Sequence, residues 1–84
     1  MNYSERLNRA IPGGCHTYSR GDDQYPQNAP QILQRGEGAY VYTPEGVRFL
    51  DYGMALRAVT LGYAQKDVAN AAIEQIWNGN NLTR

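Results

Sequence analysis

The sequence predicts an α+β segment: a short N-terminal helix, a small antiparallel meander ending in a tight hairpin, and a C-terminal amphipathic helix. Three observations carry this. Two apolar and aromatic runs, Ala39 to Thr43 and Val47 to Tyr52, flank Thr43-Pro44-Glu45-Gly46, where Pro44 presets φ for the first corner and Gly46 accepts a positive φ at the exit. Apolar residues recur at helical spacing from Lys66 to Asn78. Neither face of the hairpin is cleanly polar, so it needs cover on both sides and more protein than it brings with it.

Taken in order, Tyr3 to Ala10 places Tyr3, Leu7 and Ala10 at helical spacing with charges between, and Pro12-Gly13-Gly14 stops the helix. Ser4 is its expected cap, at the cost of leaving Tyr3 outside. From Ile11 to Pro30 no period of 2 or 3.6 holds, and Gly and Pro punctuate the stretch throughout. Long irregular segments tend to be functional or disordered, and Tyr18 and Tyr25 favour an ordered loop here.

Gln31 to Arg35 is expected as a short first strand, separated from the hairpin by Gly36-Glu37-Gly38. In the hairpin Tyr40 and Tyr42 share one face and Ala39, Val41 and Thr43 the other; after the turn Val47, Phe49 and Asp51 alternate with Arg48, Leu50 and Tyr52. Gly53 to Gly62 is mostly apolar with Arg57 in its middle. Such a cation either snorkels to water or faces an anionic group. In the last helix Val68, Ala69, Ala71, Ala72, Ile73, Ile76 and Trp77 make a broad apolar face, Asp67 suits the N-terminal dipole, and Gly79 fits a left-handed terminus. Asn80 to Arg84 brings no closing strand, which reads as a fragment boundary.

Composition narrows the function classes. At 84 residues the chain buries only about 60 to 65% of its unfolded surface, so stability is marginal without staples. Cys15 is the only cysteine, which excludes a disulfide framework and a thiolate metal cage. Eight basic residues balance eight acidic ones without runs of either sign, so no nucleic-acid footprint is present. No apolar run approaches the ~20 residues of a membrane span, and Glu5, Arg6 and Arg9 stand where a signal peptide needs an apolar core. The reading is soluble and cytoplasmic. Seven tyrosines and nine glycines against one phenylalanine fit a surface that other protein covers, or a Tyr-rich module with a solvated face.

Local constellations are weak. Cys15-His16 lacks both a third metal ligand and a positioned base. Gly36-x-Gly38 has no third glycine and no following helix. Gly13-Gly14 lacks the Lys-Ser/Thr of a phosphate loop. Glu45 and Asp51 show no sign of a shared site.

The combined pattern is more specific. RLNRAIPGGCHTYSR (Arg6 to Arg20), RGEGAYVYTPEGVRFLDYG (Arg35 to Gly53) and LGYAQKDVANAAIEQI (Leu61 to Ile76), in that order and spacing, resemble the N-terminal segment of the class III, fold-type I, pyridoxal-phosphate-dependent aminotransferases, closest to the glutamate-1-semialdehyde aminomutase-like branch. The resemblance runs from Arg6 to Arg84. It implies that residues 1–84 are an incomplete part of an aminotransferase domain, within the small domain, with the cofactor domain beyond residue 84.

Carried over by position, the resemblance makes Arg20 a candidate substrate-carboxylate clamp, with Thr17 a nearby hydroxyl donor. Arginine suits that role because its fork binds a carboxylate through two parallel hydrogen bonds; pairing with Asp22 or Asp23 is the alternative. Leu56 stands where the aminomutases place an aromatic residue over the substrate, and Arg57 after it is a second candidate for an anionic substrate group. Tyr63-Ala64-Gln65-Lys66 replaces the family's His-x-His-Pro. His16 to Gln24 and Gly53 to Tyr63 look more like relatives in surface-glycan or nucleotide-sugar pathways than like the tetrapyrrole enzyme.

The resemblance further implies pyridoxal 5'-phosphate as cofactor, a small-molecule amino donor and carbonyl acceptor as substrates, and a homodimer. The sole lysine, Lys66, does not match the family's Schiff-base position, so the segment alone is expected to be inactive, with no catalytic, cofactor-binding or metal-binding residue of its own. The rival reading is a non-catalytic, Tyr-rich interaction module.

Overall fold

A computed structural model describes residues 2–83 of the chain. Arg84, where the family resemblance ends, lies outside the described residues. The fold opens with helix α1 (Tyr3–Ala10). Its cap is Asn2, not Ser4: Asn2 Oδ1 accepts from the Glu5 N–H at 2.8 Å, and Glu5 Oε2 accepts from the Asn2 N–H at 3.3 Å. Asparagine caps as well as serine, and a Glu three residues on completes a reciprocal pair that Ser4 has no counterpart for. Tyr3 is thereby drawn into the helix. The Ser4 N–H instead donates to the Gln31 side chain at 3.0 Å, tying α1 to the chain entering the sheet.

The stretch without periodicity is ordered by three short 3-10 turns, Pro12–Gly14, Tyr18–Arg20 and Asp22–Gln24. Asn8 fastens it to α1, donating from Nδ2 to Asp22 Oδ2 at 3.1 Å.

The sheet is an antiparallel meander in the order β1 (Arg35–Glu37), β2 (Tyr40–Tyr42), β3 (Arg48–Leu50). The expected first strand is displaced: of Gln31 to Arg35 only Arg35 lies in β1, and Gly36 and Glu37 are strand, not connector. The cause is register. The turn at Gly38 and Ala39 sets Glu37 opposite Tyr40, Gly36 opposite Val41 and Arg35 opposite Tyr42, so a partner as short as β2 allows β1 to begin only at Arg35.

The hairpin turn forms as its residues dictate. Gly46 takes φ +84° and donates its N–H to Thr43 O at 3.0 Å, and Thr43 Oγ1 accepts from the Val47 N–H at 3.1 Å. The tyrosine face is topped by cations: the Arg35 guanidinium lies 3.8 Å from the Tyr42 ring centroid and that of Arg48 4.3 Å from Tyr40. The opposite face holds Val41, 6% exposed, and Thr43, 7% exposed.

After β3 comes a single helical turn, α2 (Met54–Arg57), and then the long helix α3 (Lys66–Asn78), capped by the Gln65 side chain, which accepts from the Val68 N–H at 2.9 Å. Gly79 follows with φ +99°. Among the described residues of α3 none is buried, and Trp77 is 85% exposed.

Among the described residues there is therefore no closed core. The chain's accessible surface is 7406 Å², against about 5,000 Å² for a compact monomer of this mass. Its radius of gyration is 15.5 Å, where a compact domain of this length has about 12 Å. Both excesses agree with the need for cover that the two-sided hairpin implies.

Candidate functional site

The chain leaves the sheet after β3 and returns to the same corner. The Asp51 N–H donates to Ala39 O at 2.9 Å, the Tyr63 N–H donates to Gly38 O at 2.8 Å, and the Gly38 N–H donates back to Tyr63 O at 2.9 Å. Tyr63 lies against β1 where Gly36 has no side chain: a Cβ on Gly36 would fall 2.8 Å from Tyr63 Cβ and closer still to the ring. Glycine at 36 is thus a matter of close approach, as is Gly62, whose added Cβ would meet Gly38 O at 3.0 Å.

The side chains at the two ends of this loop also meet. The Tyr63 hydroxyl donates to Asp51 Oδ2 in a short hydrogen bond. Asp51 Oδ1 accepts from the N–H groups of Gly53 at 2.9 Å and Met54 at 3.3 Å. The Tyr63 hydroxyl chiefly holds the Asp51 carboxyl below the usual carboxylate range; burial opposes it, and the Met54 and Gly53 N–H groups add smaller contributions in the same direction as the hydroxyl. The same bond raises Tyr63 above the ordinary phenol value, with burial and the Asp51 charge adding to it and the charge of Arg20 opposing.

Between the loop ends, α2 is left-handed. Met54, Ala55, Leu56 and Arg57 have φ of +48°, +47°, +57° and +80°. None is glycine, and such a conformation costs L-residues about 1–2 kcal/mol each. It is held by its own bonds: Leu56 N–H to Gly53 O at 3.0 Å, Val59 N–H to Met54 O at 3.0 Å, and Thr60 Oγ1 to Arg57 O at 2.7 Å. Strain of this kind persists where surroundings over-determine it, and it concentrates at functional sites. The turn carries two of the four candidate substrate residues, Leu56 (84% exposed) and Arg57, both open to solvent.

The other two, Thr17 and Arg20, lie on the polar loop. The Thr17 hydroxyl is 2.6 Å from His16 Nδ1, and its carbonyl accepts from Cys15 Sγ at 2.9 Å. Cys15 and His16 thus serve the loop's geometry, and among the described residues no group of three or more His, Cys, Asp or Glu converges on a metal position. Among the described residues no ion pair joins Arg20 to Asp22 or Asp23. Arg20 lines a cavity of about 590 Å³ together with Asn8, Asp22 and Tyr25. Among the described residues no hydrogen bond or ion pair joins Thr17 or Arg20 to Leu56 or Arg57.

Asp51 and Tyr63 were not legible as a pair. The Asp51 carboxylate, read in the sequence only against Glu45, joins Tyr63 and the start of α2. The available signal was Asp-x-Gly at the end of a strand, which favours a side-chain turn onto the backbone two residues on.

The described residues do not fit a covalent anchor for pyridoxal phosphate. Lys66 is exposed at the first position of α3, whereas a Schiff-base lysine is activated by desolvation or a neighbouring cation.

No family model matches the chain. It is 33% identical over 75 residues to the glutamate-1-semialdehyde 2,1-aminomutase of Methanopyrus kandleri and 36% identical over 75 residues to that of Pyrobaculum aerophilum, in each case 89% of this chain. It spans only 16% and 17% of the length of these curated relatives. Among solved structures it is similar to an omega-transaminase from Sphaerobacter thermophilus (TM-score 0.75, 28% identity) and to the FumI protein of Sphingopyxis sp. in its PLP internal aldimine form (TM-score 0.80, 31% identity). It is also similar to a beta-phenylalanine aminotransferase from Variovorax paradoxus (TM-score 0.76, 27% identity). Each likeness covers 96% of this chain and 18–19% of the solved one.

Proposed function

We infer that these residues are a segment of a class III pyridoxal-phosphate-dependent aminotransferase, and that the protein carrying them moves an amino group between an amino donor and a carbonyl compound, or between neighbouring carbons of one substrate. One observation carries the reading: 96% of the chain follows the fold of an omega-transaminase and a beta-phenylalanine aminotransferase at TM-scores of 0.75 and 0.76.

In this reading the segment is part of the small domain and supplies substrate-side and subunit contacts in a cytoplasmic homodimer. Pyridoxal 5'-phosphate supplies the electron sink for the chemistry and is held by chain outside these residues. The work of this segment is recognition. Arg20, free of the neighbouring aspartates, offers two parallel N–H groups to a substrate carboxylate. Thr17 adds a hydroxyl beside it, and Leu56 and Arg57 line the approach from α2, Arg57 taking a second anionic group. The two substrate classes of this reading are a glutamate-1-semialdehyde-like acid and a sugar or glycan-pathway compound.

The test uses the full-length protein with pyridoxal phosphate, assayed for amino-group transfer against amino-acid donors with both acceptor classes. Activity is expected, and Arg20→Ala should raise KM for the carboxylate substrate by about tenfold or more with cofactor affinity unchanged. No transfer with any donor would end the enzyme reading, and unchanged substrate kinetics in Arg20→Ala would remove Arg20 from the site.

A further inference from the structure

The loop from Asp51 to Tyr63 begins and ends on adjacent residues of the β1–β2 turn, Ala39 and Gly38. One carboxylate sits where its parts converge. Asp51 Oδ1 takes the N–H of Met54, the first left-handed residue, while Oδ2 takes the Tyr63 hydroxyl from the returning end. Tyr63 cannot drift, because its backbone is paired with Gly38 in both directions and its ring occupies the space above Gly36. The sheet therefore fixes Tyr63, Tyr63 fixes Asp51, and Asp51 fixes the point from which four non-glycine residues run left-handed.

We propose that the Asp51–Tyr63 hydrogen bond is a latch that positions α2, so that Leu56 and Arg57 are presented in one arrangement to an acidic substrate. Asp51 and Tyr63 are positioning residues: they act through the turn, with Arg57 as the group that meets the substrate's anionic end. Without the hydroxyl, nothing from the returning end restrains the carboxylate, and residues 54–57 relax toward the right-handed or extended regions that L-residues prefer. The specificity for an acidic substrate then loosens while the chemical step stays intact. The substrate part of this proposal rests on the aminotransferase reading above; the latch itself does not.

Tyr63→Phe in the full-length protein is the clean test, since it keeps the ring over Gly36 and removes only the hydroxyl. Hydrogen exchange should show the amides of Leu56 and Val59, both hydrogen-bonded in the turn, exchanging about tenfold faster, with α3 unchanged. In the active enzyme, KM for the acidic substrate should rise about tenfold with kcat within about twofold, and Tyr63→Phe should add nothing further in an Arg57→Ala background. Unchanged exchange at Leu56 and Val59 overturns the latch whatever the activity. Faster exchange with unchanged KM, or a KM effect that adds to that of Arg57→Ala, overturns its role in presenting Arg57. Wild-type protein that transfers no amino group ends the aminotransferase reading and the substrate role with it, while the exchange arm still decides the latch.

Discussion

The Tyr63 hydroxyl donates to the Asp51 carboxylate across twelve positions of sequence, and this bond closes a loop whose two backbone ends already rest on Gly38 and Ala39. It joins the sheet to the left-handed turn that carries Leu56 and Arg57.

The stability it contributes is bounded by pH on both sides. Asp51 has its folded pKa depressed, so its contribution is present above the unfolded value of about 3.9 and lost as pH falls through the folded one. Tyr63 has its folded pKa raised, so its contribution is complete below about 10 and lost as pH rises through the folded value. In the full-length protein, the stability difference between wild type and Tyr63→Phe should be flat from about pH 5 to 9, at about 1–2 kcal/mol, and shrink at either extreme. Denaturant midpoints across that range check this; a difference that keeps growing toward acid pH contradicts the assignment.

Gly36→Ala should be destabilising by about 1–3 kcal/mol, because the new methyl meets the Tyr63 ring and displaces it from β1. The loss should be partly relieved in a Tyr63→Ala background, where the space is open. Equal losses in both backgrounds, read from thermal midpoints, would place the cost elsewhere.

The isolated 84 residues should not melt cooperatively. With Val41 the one buried large apolar side chain among the described residues, and about 2,400 Å² more surface than a compact chain of this size, too little apolar area is removed from water to offset the entropy of ordering. Broad unfolding or self-association by calorimetry and sedimentation is the expected outcome. A sharp two-state transition of a monomer would favour the rival reading as a freestanding Tyr-rich module.

Much of the local structure was written in short-range chemistry. The helix at Tyr3–Ala10, the turn at Thr43–Gly46 and the helix at Lys66–Asn78 follow from spacing, proline and glycine, and the structure has all three in those bounds. The α1 cap and the start of β1 were misread because each is settled by competition. Asn2 outbids Ser4 once Glu5 can reciprocate, and the register of β2 decides where β1 begins.

The sequence by itself determined the α+β class and the hairpin and, through order and spacing of three motifs, carried the resemblance to the aminotransferases. Only the tertiary structure decided that Asp51 and Tyr63 are partners, that Gly36 is small to admit Tyr63, and that Met54–Arg57 turns left-handed. The physical reason is range: turns and helices are set by neighbours a few residues apart, whereas a carboxylate and a phenol twelve positions apart meet only because the sheet corner brings both ends of their loop together.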